Sequence, residues 1–155
     1  MAPSEAEATA RAVAGQHGNR PDALIEILHG VQAALGCVPE AAVPALADVL
    51  NLSRAEVHGV VTFYHDFRRQ PAGRHVLKMC RAEACQALGC EALVERAESR
   101  LGVSAGGTSA DGRVTLESVY CLGLCACGPS GMMDGRVVGR LTAPRLDALL
   151  GEAGA

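Results

Sequence analysis

Two close cysteine pairs, Cys80-x4-Cys85 and Cys121-x3-Cys125, constrain this chain more than any other feature of its sequence. They belong to a set of seven cysteines in 155 residues. The opening segment, Met1-Ala-Pro-Ser-Glu-Ala-Glu, has neither the basic n-region nor the apolar h-region of an export signal. Glu5 and Glu7 also argue against a transit peptide, which is poor in acidic residues. A cytoplasmic location is therefore expected, and there thiols stay reduced. An odd number of cysteines in that setting speaks against a disulfide framework and for a metal or redox cofactor. A formal net charge of −3 gives no electrostatic footprint for nucleic acid or for an anionic membrane. No apolar run approaches the ~20 residues that span a bilayer.

Turn residues Gln70-Pro71-Ala72-Gly73 separate two styles of sequence, predicting one domain over residues 1–72 and a second over 73–155. The first reads as a helical bundle. Ser4 and Glu7 make a capping box for a first helix that Gly15 or Gly18 ends. Pro21 suits the first turn of a second helix, with Leu24, Leu28, Val31 and Leu35 on one face and Gly36 as C-cap. A third helix is expected from Pro39, burying Val43, Leu46, Val49 and Leu50. Ser53 and Glu56 form a second capping box, and Val57, Val60, Val61 and Tyr64 continue that helix. Phe and Tyr number two each and Trp is absent, so the core must rest on Leu, Val, Ala and Met.

Beyond Gly73 the rhythm changes. His75–Met79 has the bias of a short strand running into Cys80. Leu93, Val94, Ala97 and Leu101 mark an amphipathic helix closed by Gly102. Arg113–Tyr120 reads as a second strand running into Cys121. Asp134-Gly135, between Met132-Met133 and Arg136-Val137-Val138, signals a tight hairpin, and Thr142 can cap a last helix carrying Leu146, Leu149 and Leu150. A β-α-β unit, then a hairpin, then a helix is the arrangement of a thioredoxin-like domain. The fold class predicted is thus α+β: an N-terminal helical bundle followed by a thioredoxin-like α/β domain.

Each cysteine pair follows a predicted strand, and in such sheets ligands gather beyond the carboxyl ends of parallel strands. A right-handed crossover makes those strands neighbours or near neighbours, so the two loops can converge. Four thiolates suit iron or zinc. Gly123 allows a positive φ where the second loop curls, and Gly128-Pro129 stops it before the hairpin. Spacing leaves iron–sulfur and structural zinc both open, because C-x2–4-C pairs are common zinc ligands and the familiar ferredoxin runs do not match.

Cys80-Arg-Ala-Glu-Ala-Cys85 with Cys121-Leu-Gly-Leu-Cys125 resembles the signature of the thioredoxin-like [2Fe–2S] ferredoxins. That family includes a small subunit of respiratory complex I and the diaphorase-side subunits of NAD-reducing hydrogenases. Gly59–Phe67 resembles the segment that ends the helical part of those subunits. Thr62–Arg68, Val76–Cys85 and Asp134–Arg140 together look most like one branch, the gamma subunit of soluble NAD-dependent formate dehydrogenase. The resemblance runs over residues 20–150. It implies one [2Fe–2S] cluster held by Cys80, Cys85, Cys121 and Cys125, no catalytic residue on this chain, and one-electron relay as the function. It further implies an FMN-containing, NAD-binding flavoprotein partner and a molybdenum-containing formate dehydrogenase catalytic subunit. FMN, NAD and the molybdenum cofactor would sit on those partners only, and the helical part would dock beside the FMN. The same relay in an NAD-reducing hydrogenase or complex I is the alternative.

Around the implied cluster, Lys78 and Arg81 are the nearest cations in sequence and would favour the reduced form. Gly123 and Cys127 would sit close by, Cys127 as a neighbour of a ligand. Cys90 shares a helical face with Val94, Ala97 and Leu101 and reads as a small core residue, although it also makes a second C-x4-C pair with Cys85. Cys37 reads as an inert thiol. Ala45–Val60 has the apolar spacing of a DNA-binding helix-turn-helix, so a redox-sensing or zinc-bearing regulator is a reading from another class. Its candidate recognition helix shows Arg54, Ala55, Glu56 and His58, too little positive charge to hold phosphates. His58 and His65 stand two helical turns apart, ~10 Å, too far to share one ion, and read as surface residues. Ser104–Gly112 matches no phosphate-binding fingerprint and reads as a flexible loop.

Overall fold

The computed structural model describes residues 4–154; residues 1–3, where the segment read for an export signal begins, and residue 155 lie outside the described residues. The chain divides into two compact units between Pro71 and Ala72.

The first unit is all helix. Helix α1 is Glu5–Gln16, opened by the Ser4–Glu7 capping box and stopped at His17, just before the left-handed Gly18. A single 3-10 turn, Pro21–Ala23, leads into α2, Leu24–Leu35, which ends on Gly36 at φ 77. Helix α3, Ala42–Leu50, starts at Ala42 rather than Pro39, because the Pro39 and Glu40 carbonyls first accept turn bonds from Ala42 and Val43. Asn51 turns the chain with φ 54, and the Ser53–Glu56 capping box opens α4, Arg54–Phe63. Ile27, Leu28, Val31, Leu46 and Val57 form the centre of the bundle, while Leu35, Val49 and Val60 are only partly buried against it.

Tyr64 departs from expectation. It caps the end of α4 in an extended conformation and stays exposed, as does Phe63. The chain turns back instead through Phe67, which is buried with its ring 4.9 Å from that of His29. Gln32 holds this return by donating to the Asp66 carbonyl at 2.8 Å and accepting from the Arg68 amide at 2.7 Å. His65 therefore lies beyond the helix and does not share a face with His58, although both are exposed.

The second unit is a four-stranded sheet with order β2-β1-β3-β4. Strand β1, His75–Cys80, runs parallel to β2, Val114–Val119, with His75 opposite Val114 and Cys80 opposite Val119. Strand β3, Gly131–Met133, pairs antiparallel with β1 and with β4, Arg136–Val138. The β3–β4 turn has Asp134 at φ 49 and Gly135 at φ 83, the double left-handed conformation that a two-residue hairpin needs. The Asp134 carboxylate also accepts from the Val76 amide at 2.8 Å and lies 2.7 Å from His75 Nδ1, tying the hairpin to β1.

Between β1 and β2 the chain forms α5, Glu83–Ala87, and α6, Cys90–Leu101, and it closes with α7, Ala143–Glu152. Leu77, Met79, Val114 and Leu116 from the sheet share one core with Leu93, Val94, Ala97 and Leu101 of α6 and Leu146 and Leu150 of α7. Thr142 stands at the N-cap of α7 with extended backbone, but its side chain makes no capping bond. The segment expected as a flexible loop is paired. Gly106 donates to the Leu116 carbonyl at 2.6 Å, Leu116 to Gly107 at 2.9 Å, and Ser109 to Val114 at 2.8 Å, covering the outer edge of β2. Among the described residues no helix is long and apolar enough to cross a membrane.

Candidate metal centre

Cys80 is the last residue of β1 and is buried; its amide donates to the Ser130 carbonyl at 3.0 Å. The backbone then turns through Arg81, whose amide bonds the Val119 carbonyl at 2.8 Å, into α5. Cys85 lies within α5, not in a loop as expected, and is also buried. Five residues, Glu83-Ala-Cys-Gln-Ala87, are too few to show helical periodicity in sequence. Cys121 follows β2 and Cys125 opens a single 3-10 turn, Cys125–Cys127; both thiols are exposed.

The exposed pair is set with Sγ atoms 3.7 Å apart. Two sulfurs bound at ~2.3 Å to one tetrahedral metal stand ~3.8 Å apart, so the spacing matches a shared ion. Cys121 has φ 137, a conformation disfavoured for any residue with a Cβ, costing of order 1–3 kcal/mol. Gly123, at φ 73, curls the loop so that its amide points at Cys121 Sγ from 3.3 Å. That N–H is a ready donor to a metal-bound thiolate.

Gly128 packs the second loop against Cys85. A Cβ there would stand 3.4 Å from Cys85 Sγ and 3.6 Å from the Cys125 carbonyl, and only 2.9 Å from Leu88 Cδ1. The second loop thus passes directly over the buried thiol. Among the described residues, no three His, Cys, Asp or Glu side chains gather tightly enough to hold a single ion. The thiols stand as two pairs, Cys80 with Cys85 and Cys121 with Cys125, a donor set that suits a two-iron cluster taking one pair per iron.

The two pairs differ in their electrostatics. Burial pushes the Cys85 thiol up, but bonds from the Ser130 hydroxyl, from Cys80 and from the Ser130 backbone outweigh it and leave its pKa below the ordinary value. The hydrogen bond with Cys121, then the charges on Cys121, Cys85 and Cys80, push Cys125 up. Thiols set in such close pairs resist deprotonating together unless a metal offsets their charge.

The flanking residues are placed as follows. Arg81 is bidentate to Glu91, and Lys78 pairs with Glu117 at 3.6 Å, so neither cation stands uncompensated. Cys127 is half-buried, its carbonyl and Cβ 2.9 and 3.0 Å from where a Gly139 Cβ would be, on the side of the loop facing the end of β4. Cys90 is fully buried but is the first residue of α6, not an interior one, and it groups with Cys80 and Cys85 rather than with the Val94–Leu101 core. Burial first, then the Glu91 carboxylate, raises its pKa to about 11, so it remains a thiol at neutral pH. Cys37 is buried in the first unit, and that burial pushes its thiol up.

Ser130 is a site residue that the sequence does not announce. It is buried, with Oγ 3.6 Å from Cys85 Sγ. The one signal in the sequence is a polar residue placed between Gly128-Pro129 and the apolar Met132-Met133.

Residues 10–154 match the family model described as thioredoxin-like [2Fe-2S] ferredoxin. One NADH-quinone oxidoreductase subunit, from Pseudomonas aeruginosa, is 44% identical over 112 residues, covering 72% of this chain and 68% of its own. Its namesake in Escherichia coli K12 is 41% identical over 128 residues, covering 83% and 77%. The crystal structure of an NAD+-reducing [NiFe]-hydrogenase in its air-oxidised state superposes with a TM-score of 0.71 at 26% identity. That likeness covers 85% of this chain and spans 23% of the hydrogenase chain, about a quarter of its length.

Proposed function

The chain belongs to the thioredoxin-like [2Fe–2S] ferredoxin family, and from that premise we propose that it relays single electrons through a cluster held by Cys80, Cys85, Cys121 and Cys125. Its cofactor is a [2Fe–2S] cluster, and it serves as a non-catalytic electron-transfer subunit of an NADH-linked oxidoreductase complex. When bound, the cluster supplies a one-electron couple. The chain's own residues hold it, exclude water from one side and set its potential.

The observation that carries this reading is the asymmetry of the two pairs. Cys80 and Cys85 are buried, with Gly128 packed near Cys85, whereas Cys121 and Cys125 open to the surface beside Tyr120, itself 74% exposed. One pair anchors the centre in the fold while the other brings it within reach of a docked partner. An FMN-containing, NAD-binding flavoprotein is the partner expected, since a flavin splits a hydride into single electrons. The helical unit, with Phe63 and Tyr64 exposed, supplies docking surface. Within the family we assign the chain to the NAD-dependent formate dehydrogenase branch, on Thr62–Arg68 and Asp134–Arg140, with a molybdenum-containing catalytic subunit in the same cytoplasmic complex.

Purified protein should hold about two irons and two acid-labile sulfides per chain. Dithionite should reduce it, NADH alone should not, and NADH with the flavoprotein should. Rapid NADH oxidation by the pure subunit would overturn the relay reading. Replacing any of the four cysteines with Ala should remove the visible spectrum, and its persistence after Cys121→Ala or Cys125→Ala would overturn the ligand set. Co-purification with hydrogenase or quinone-reductase subunits, instead of a formate-oxidising one, would overturn the branch.

A further inference from the structure

Two charged side chains outside the ligand set stand directly after buried cysteines in the chain, Arg81 after Cys80 and Glu91 after Cys90. Arg81 directly follows Cys80, and its backbone is held on both sides: the amide donates to Val119 and the carbonyl accepts from Gln86 Nε2 at 2.9 Å. Its guanidinium meets Glu91 as a fork, Nε to Oε1 at 3.0 Å and Nη2 to Oε2 at 2.6 Å. Glu91 follows Cys90, the fully buried thiol grouped with Cys80 and Cys85, and its Oε1 lies 3.8 Å from Cys90 Sγ. The two side chains are 32% and 43% exposed, so water screens their fields only in part. Bidentate geometry holds both charges at fixed positions, unlike a mobile surface pair.

We propose that the Arg81–Glu91 ion pair tunes the cluster's midpoint potential, its two charges held in balance next to Cys80 in the chain and against Cys90 in space. Reduction makes the cluster one unit more negative, so a lone Arg81 cation would stabilise the reduced form and raise the potential. Glu91 cancels that pull. A lone Glu91 carboxylate would do the reverse. Lys78, the other cation near Cys80 in sequence, is likewise matched by Glu117. The inference rests on the ligand assignment above, since it needs an iron on Cys80 and Cys85.

The test is a redox titration, followed by EPR, of the full chain loaded with cluster as wild type, Glu91→Gln, Arg81→Gln, Arg81→Lys, and the exchanged pair Arg81→Glu with Glu91→Arg. Glu91→Gln should favour reduction and Arg81→Gln disfavour it, each by at least threefold, or ~30 mV for a one-electron couple. Arg81→Lys and the exchanged pair, which keep net charge zero, should return close to wild type. Shifts of the same sign in both single neutral variants, or no shift in either, would overturn the proposal. So would failure of either to hold the cluster, because the pair would then be a structural clamp. Loss of cluster in Cys85→Ala, measured alongside, separates these outcomes from failure of the ligand assignment itself.

Discussion

Replacing Ser130 with Ala should lower the midpoint potential of the cluster while leaving the cluster in place. Ser130 is 1% exposed, and its hydroxyl stands 3.6 Å from Cys85 Sγ. Against a metal-bound thiolate only the hydroxyl can donate. A hydrogen bond to a charged group contributes about 1.5–3 kcal/mol, and this one is at the long end for sulfur. Only the part that strengthens on reduction moves the potential. Taking a third of that range gives roughly 0.5–1 kcal/mol, or ~20–45 mV for one electron. The backbone contact of Ser130 with the Cys80 amide survives the substitution, so the loop should keep its course. The assay is an EPR-monitored redox titration of loaded protein. Ser109→Ala is the control: Ser109 is also buried and bonded, but to Asp111 and Val114 at the opposite end of β2. It should cost stability without moving the potential. An unchanged or raised potential in Ser130→Ala would refute the reasoning, as would an equal fall in Ser109→Ala.

Two predictions concern stability. Burial pushes the Asp134 carboxyl up, but the His75 bond and the Val76 amide outweigh it and hold its pKa below the ordinary 3.8. A depressed carboxyl contributes fully above 3.8 and loses its contribution as pH falls through the lower folded value, so acid unfolding of wild type should show that loss and Asp134→Asn should not. Gly139→Ala should destabilise by about 1–3 kcal/mol in urea unfolding, because the new Cβ would lie 2.9 Å from the Cys127 carbonyl, and backbone must shift to make room.

Local features of the sequence determined a great deal. The two capping boxes, the left-handed Gly36 and Gly102 ends and the Asp134-Gly135 hairpin each rest on neighbours within a few residues. Short-range chemistry decides such features, so they can be read along the chain. The short helix α5 escapes such a reading because it is less than two turns long, and Tyr64 misleads because helical spacing continues past the point where the backbone leaves the helix. The pairing of Gly106–Ser109 with β2 escapes because it depends on backbone hydrogen bonds, which any residue type can make.

What surrounds the cysteines was decided only in three dimensions. Cys85 meets Ser130 across forty-five positions of sequence, and Arg81 meets Glu91 across ten, with separations set by the sheet and by α5 and α6. Sequence proximity makes Arg81 and Lys78 look like free cations beside a cluster. Packing gives each a carboxylate, because a partly buried charge is costly unless paired. Periodicity places Cys90 with the Val94 face, yet at the first turn of α6 it is buried with Cys80 and Cys85. The spacing of the cysteines marks two close pairs along the chain, and the family resemblance makes them the proposed ligands. That two of them are buried and two open to the surface follows from where the strands end, which spacing does not encode.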